Sequence, residues 1–343
     1  MIWLTWRQFR VQALTAAAAL IAVAILLGTT GPHLASLYAA SGLTGCQGFT
    51  CSDAANTFLS QLDHNGLYHI EYPLGLLLII AAPAIIGIFW GAPLIAREFE
   101  DGTYRLAWNQ SVTRTRWLTV KLVLVGLAAM AVTEAFSLMH AWWADPISKA
   151  IALGGSSSVF TGSRFSWTTF ASHGITPLGY AAFAFTLGTA AGTLIRRAVP
   201  AMAVTLVIFA LAQAPMPLWV RPNIIPPDRV IATTEAAQLS YDGLIATAVP
   251  GQSGAWIVSS GAFNPAGQRV TEVPASCLSG SSSVKSDSGD PAPCMDKLGI
   301  REAISYQPAS RYWPLQLIET GIFLALALVL AGFCFWQLGR RRA

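Results

Sequence analysis

The chain has 343 residues, 54% of them hydrophobic and only 11% charged, with a mean hydropathy of +0.52. A soluble domain carries about 25% charged residues, so this is the composition of an integral membrane protein. The net charge of +4 is small, and no basic stripe interleaved with aromatics is present, so nothing in the sequence calls for a nucleic-acid partner.

The chain opens with Trp3, Trp6 and Phe9 beside Arg7 and Arg10. A helix over residues 1–10 would be amphipathic, with aromatics at headgroup level and cations toward the cytoplasmic leaflet. A cleavable signal is the competing reading, but the following apolar run, 11–31, is too long for one. The expectation is an interfacial helix leading into a first span. Residues 32–72 then read as an external loop holding Cys46, Cys51 and the group Asp63, His64, His69 and Glu71. The spacing of that group fits no standard metal-ligand pattern, so a solvated loop surface is expected and no metal site. A second span covers about 73–96, with Pro83 and Pro93 inside it, and a third covers about 122–143.

Between these two spans lies REFEDGTYRLAWNQSVTRTRWLTVK, residues 97–121, with five basic residues (Arg97, Arg105, Arg114, Arg116, Lys121) and three acidic ones (Glu98, Glu100, Asp101). Such a hairpin cannot lie in lipid, and its surplus of Arg and Lys assigns it to the cytoplasmic side. The incoming helix can run through residues 98–101 and stop at Gly102, which tolerates the left-handed conformation of a helix end. Thr103 can cap a short helix over 104–109, and Ser111 or Thr113 can start the next span. The exposed aromatics of such a stub suit docking onto a soluble partner better than an ordinary turn.

These residues carry a resemblance. Arg97-Glu98-Phe99-Glu100-x-Gly102-Thr103, then Gln110-Ser111, then Arg114-x-Arg116-Trp117 and Lys121 resemble the signature of ABC transporter permeases of the ABC-2 type, in the form common among actinobacterial exporters. The resemblance implies that 104–109 is a coupling helix seated in a groove of a separate ATP-binding subunit. Arg97, Glu98, Glu100, Gly102, Thr103, Tyr104, Arg105, Leu106 and Trp108 would then serve that coupling. It further implies two copies of the ATP-binding subunit and a second permease, identical or homologous. ATP and magnesium would be bound on the partner, leaving this chain without a cofactor.

Further along, Trp142, Trp143 and Asp145 read as the interfacial end of the third span, and His140 as part of that interface. Residues 144–172 form a second external segment. The fourth span, 173–195, contains Gly188-x-x-x-Gly192, small residues four apart that let two helices approach closely. Arg196-Arg197 is a short cytoplasmic turn before the fifth span, 198–219. Residues 220–312 change character: Pro, Ser and Gly accumulate and charges of both signs appear, the mark of a small extracytoplasmic domain. A sixth span, 313–338, ends in Arg340-Arg341-Arg342. The cations concentrate in the segments read as internal, so both termini are expected in the cytoplasm, and the resemblance implies the plasma membrane of a bacterial cell. Cys46 with Cys51, and Cys277 with Cys294, then fall on the oxidising side and read as two disulfides, free thiols being the alternative.

No phosphate-binding G-x-x-x-x-G-K-[ST] occurs. The nearest imitation, ending at Lys285-Ser286, lacks the glycine before the lysine. HExxH and GxSxG are also absent, so the expectation is a non-catalytic subunit. A charge in hydrocarbon costs at least about 2.5 kcal/mol and must face a cavity, a partner or the interface. Glu134 in the third span therefore reads as a contact on a transport path or a helix-to-helix hydrogen bond, and the polar Gln213 in the fifth is open to the same two readings. Glu319 reads as interfacial, near Arg311 and Tyr312. The architecture expected is an all-α membrane protein of six spans, with an interfacial N-terminal helix, a coupling helix and an external domain before the last span. The function expected is the permease subunit of an ATP-driven exporter of amphipathic, lipid-like or drug-like cargo. A membrane-anchored sensor using 220–312 is the alternative.

Overall fold

A computed structural model describes all residues except 1, 47–50, 103–112, 161–162, 235–238, 241–243, 247–248, 253, 279–290 and 341–343. The chain divides into two compact units, Met1–Leu218 with Gln316–Ala343, and Trp219–Leu315. Among the described residues six helices are long and apolar enough to cross a bilayer, and the first unit is an all-α membrane bundle.

The first helix, α1 (Ile2–Ala40), is unbroken. The expected boundary between an interfacial helix and a first span near residue 10 is therefore corrected: no Gly or Pro interrupts residues 2–27, and nothing there stops a helix once started. Its 39 residues extend about 58 Å at 1.5 Å per residue, well beyond a hydrocarbon core of about 30 Å. The segment expected as an external loop is also largely helical, with α2 (Ser52–His64) and the first turns of α3 (Gly66–Ile86), whose start is capped by the Asn65 side chain. α3 continues through a π turn at Gly87–Gly91 into α4 (Ala92–Glu100). Then follow α5 (Arg114–Trp143), the short α6 (Asp145–Ala152) and α7 (Trp167–Ser172), α8 (Thr176–Ile195) and α9 (Ala198–Gln213). The last long helix, α13 (Tyr312–Arg340), returns to this unit.

The bundle is organised around α8. Sixteen of its 20 residues are buried, a distribution that only a central helix can have. Its small residues permit that position. A Cβ on Gly188 would lie 2.2 Å from the Gly87 carbonyl oxygen, and one on Gly192 would lie 2.5 Å from that of Ala92. The Gly-x-x-x-Gly pair thus finds its partner inside the chain, on the π turn of the second span. Pro93 explains part of that turn. It has no N–H for the Phe89 carbonyl four residues back, the Ala92 N–H bonds instead to Gly87 five residues back, and the Gln12 amide of α1 donates to the Phe89 oxygen at 3.1 Å.

Two apolar cores fill the bundle. One, near both chain ends and the segment after α4, gathers Phe9, Trp90, Ile95, Trp117, Leu118, Phe185 and Leu338. The other, at the opposite end, gathers Leu34, Phe58, Leu62, Tyr68, Tyr72, Trp143 and Phe160. Trp143 is buried there and donates to the Thr30 hydroxyl at 2.9 Å, whereas Trp142 is exposed. Only the second of these tryptophans fails the expected interfacial role.

The second unit contains a four-stranded antiparallel sheet in the order β1-β6-β4-β5, built from β1 (Asp228–Thr233), β4 (Trp256–Phe263), β5 (Arg269–Val270) and β6 (Arg301–Gln307). A minor pair, β2 (Leu239–Ser240) with β3 (Ile245–Ala246), accompanies it. Ala232, Leu244, Ala262, Met295, Ile300 and Ile304 form its core. The pairs Cys46–Cys51 and Cys277–Cys294 are both bonded, with Cα–Cα separations of 6.0 and 5.7 Å, and Cys334 is a buried free thiol.

Candidate functional site

The charged residues that close α4 form a clamp on the bundle. Glu98 accepts a hydrogen bond from Lys121 of α5 and another, at 3.0 Å, from Gln8 of α1. Gln8 and Gln12 lie four apart on one face of α1, so that single face serves both Glu98 and the Phe89 carbonyl. Glu100 accepts from the Ala198 N–H at 3.1 Å, satisfying a free donor at the start of α9 where the helix dipole also favours a carboxylate. Phe99, between them, has the Arg196 guanidinium 5.6 Å from its ring centroid. Arg196 has a φ of 57°, the left-handed geometry that ends α8 and starts the turn into α9. Lys121 is almost wholly buried and lies 4.8 Å from the Trp117 ring centroid. One stretch of four residues, 97–100, therefore contacts α1, α5, α8 and α9.

Arg97 is exposed. Gly102 has a φ of +67° and Thr113 caps α5 through the Arg116 N–H, so the helix stop and restart fall where the residues placed them. Thr103, Tyr104, Arg105, Leu106 and Trp108 lie outside the described residues.

A second group of polar side chains is buried at the other end of the bundle. Gln316 of α13 accepts from the Ile175 and Thr176 N–H groups and donates to the Phe170 and His173 carbonyls, all at 3.1 Å, and so stitches the junction of α7 and α8 to α13. The Tyr180 hydroxyl donates to Glu319, which is fully buried. Glu319 is thus not interfacial, and this is a correction: the close approach of Gly179 to Thr320 draws α13 against α8 and carries the carboxylate inside. Ser137 donates to the Ser172 carbonyl at 2.7 Å, and His140, also buried, packs between Tyr72, Trp143 and His173. Gly75 makes room for it, since a Cβ there would lie 2.4 Å from its Nε2. His140 too was expected at the interface.

Of the two path candidates, Glu134 is half-buried with Oε2 enclosed and lacking a hydrogen-bonding partner, one position along from the buried stripe Ala129, Thr133, Ser137, His140. Gln213 is half-buried at the end of α9. No contact brings these two residues together. A cavity of about 350 Å³ opens beside α3, lined by Tyr72, Leu76, Leu77, Ile80, Thr168 and Thr169 among others. Asp63 and His69 do meet, at 2.7 Å, and Asp63 also accepts from the Ser158 hydroxyl at 2.5 Å. Those two bonds hold the Asp63 carboxyl below its ordinary value. Among the described residues no group of three or more metal-ligating side chains occurs.

The sequence reading missed the Glu98–Lys121 pair, the Tyr180–Glu319 pair and the role of Gln316. A signal existed for part of this: Gln8 and Gln12 are polar residues four apart leading into an apolar helix, and Pro93 leaves a carbonyl in need of a donor.

A family model described as ABC-2 membrane transporter related matches residues 17–221. The chain belongs to that family. The match runs from within the first membrane helix through the fifth and includes the charged segment after α4, and membership of the family implies a membrane component of an ABC transporter and an ABC ATP-binding partner. No curated protein and no solved structure matches the chain significantly.

Proposed function

We propose that the chain is the permease subunit of an ATP-driven exporter. ATP and magnesium are bound by two copies of a separate subunit, and a second permease, identical or homologous, completes the complex. The observation that carries this reading is the clamp. The residues just before the segment 103–112, Glu98 to Glu100, contact α1, α5, the end of α8 and the start of α9 at once, so a force applied to that segment and passed on through Asp101 and Gly102 would reach four membrane helices. In this reading the segment lies in the cytoplasm with both termini, and 220–312 lies outside. Closure of the ATP-binding subunits pushes 104–109, α4 transmits the push, and a path between the two permeases opens outward. Glu134, whose enclosed carboxylate oxygen lacks a hydrogen-bonding partner, becomes part of that path when the bundle opens.

The cargo is amphipathic. The lining of the cavity beside α3, mostly apolar with the hydroxyls of Tyr72, Thr168 and Thr169 and no charged side chain, suits a molecule with a hydrocarbon part and a neutral polar part. The test is the triple replacement of Tyr104, Leu106 and Trp108 by Ala in the reconstituted complex. Cargo-stimulated ATPase is expected to fall to the basal rate while the permease still elutes as a folded species. Undiminished stimulation overturns the reading, and so does labelling of Trp108→Cys by an impermeant reagent from outside the cell. A sensor that uses 220–312 to bind a ligand would purify without any ATPase.

A further inference from the structure

The second unit holds a carboxyl group in a place where a charge is costly. Glu302 is fully buried on β6, the strand flanked by β1 and β4. Its register partners are Ala232 on β1 and Ala262 on β4, both small and apolar. Along β6 exposure alternates, so Glu302 and Ile304 face inward while Arg301 faces outward and pairs with Asp296 at 3.4 Å. The core it faces is made of Leu244, Ala246, Met295 and Ile300. Neither carboxyl oxygen has a hydrogen-bonding partner. The nearest cation is Arg269 of β5, which pairs with Phe263 on the outward face, the side of Arg301, and whose Nη2 donates to the Ser260 carbonyl at 3.5 Å. The Ser260 hydroxyl accepts from the Ala246 N–H at 3.0 Å and keeps its own proton beside the carboxyl, a partial compensation only.

An ionised carboxylate so placed is destabilised by lost hydration and regains little from its neighbours. We propose that the unit 219–315 is a pH-responsive module whose sheet is tightly closed only while Glu302 is protonated. Burial pushes the Glu302 carboxyl up to about 7, the nearby Ser260 side chain, the Arg269 charge and the Gly261 N–H opposing it only in part. The sign follows directly. In an opened sheet the group returns toward its ordinary value of 4.5, so the opened form releases a proton that the closed form retains. Closure is fully favoured below about pH 4.5, weakens as pH rises toward 7, and stays at its lower level above that. Placed outside the cell, as the proposed topology has it, such a module tightens in acid and loosens at neutral and alkaline pH, a signal read independently of ATP.

The experiment is hydrogen exchange on the full chain in lipid nanodiscs at pH 5 and pH 8, each corrected for its intrinsic exchange rate. Protection of the β6 and β4 amides is expected to fall about tenfold or more between the two, while that of α8 stays constant. Glu302→Gln, which copies the protonated shape without the titration, is expected to keep high protection at both values. Arg269→Gln, which removes the opposing cation, is expected to shift the transition to higher pH. Equal protection of the wild-type sheet at both values overturns the proposal, as does a pH response retained in full by Glu302→Gln. Because the measurement needs neither ATP nor a partner, it fails or succeeds separately from the transporter reading.

Discussion

Gly188 lies so close to Gly87 that a methyl group on it would sit 2.2 Å from the Gly87 carbonyl oxygen and 2.7 Å from the Ala92 nitrogen. Both obstacles are backbone, so no side chain can move aside. Gly188→Ala must therefore separate α8 from the π turn, against an overpacking penalty of about 1–3 kcal/mol or more. A loss of at least about 2 kcal/mol in thermal unfolding is expected. Gly321→Ala, at a position with open space beside it, serves as the control and should leave stability within about 0.5 kcal/mol.

The Glu98–Lys121 pair makes a different prediction, because its two members are unequal in burial and both are needed. Lys121 is 2% exposed and Glu98 13%. Removing one partner of a buried ion pair leaves the other uncompensated and costs about 3–5 kcal/mol, whereas replacing both with neutral groups of similar volume is nearly neutral. Lys121→Met alone should destabilise the bundle by about 3 kcal/mol, and the double variant Lys121→Met/Glu98→Gln should recover most of the loss. The same comparison tests transmission: if α5 is moved through this bond, the double variant is stable yet shows reduced cargo-stimulated ATPase. A stable double variant with normal stimulation would assign the pair to stability alone.

The membrane helices were legible because hydrocarbon imposes a simple requirement: long apolar runs separated by charge. The helix stop at Gly102 and the Thr113 cap were legible because each depends on one residue and its near neighbours. Pairings across the bundle were not. Glu98 meets Lys121 across 23 residues, and Tyr180 meets Glu319 across 139, and nothing local to either residue specifies its partner. The apparent interfacial position of Glu319 was read from its neighbours in sequence, Arg311 and Tyr312, when its neighbour in space is α8. The sheet in the second unit escaped for another reason. β5 has only two residues, and along the seven of β6 the inward position 302 is a glutamate while the outward position 303 is an alanine, so hydropathy does not alternate as burial does.

Acid should loosen the end of the bundle where α2 packs. Asp63 joins three elements by accepting from Ser158 and bonding His69, and both bonds hold its carboxyl below the ordinary 3.8. A depressed carboxyl contributes stability that is present above its unfolded value and is lost as pH falls through its folded value. Proteolysis of the stretch 153–160 should therefore be slow at pH 5 and faster below about pH 3.8. Asp63→Asn should show the fast cleavage already at pH 7. An unchanged rate in that variant would mean that the Asn56 side chain, which accepts from the Ser156 N–H at 2.9 Å, is enough to hold the loop.

The two disulfides should differ in weight because they close loops of different length. Cys277 and Cys294 are 17 residues apart, Cys46 and Cys51 only five. By loop entropy the first is worth about 3 kcal/mol and the second about 2. Their surroundings widen the gap. The Cys277–Cys294 bond anchors α12 (Ala292–Lys297), from which Asp296 accepts from the Thr234 N–H at 2.7 Å and the Thr234 hydroxyl donates to the Ala292 carbonyl at 2.9 Å. Met295, on the same short helix, is fully buried in the core of that unit. Cys277→Ser/Cys294→Ser should thus lower protection throughout β1 and β6 in hydrogen exchange. Cys46→Ser/Cys51→Ser should disturb only the start of α2, since Ala55, Phe58, Leu59 and Leu62 still seat that helix. Equal and local effects from the two double variants would show that α12 is held by its side chains alone.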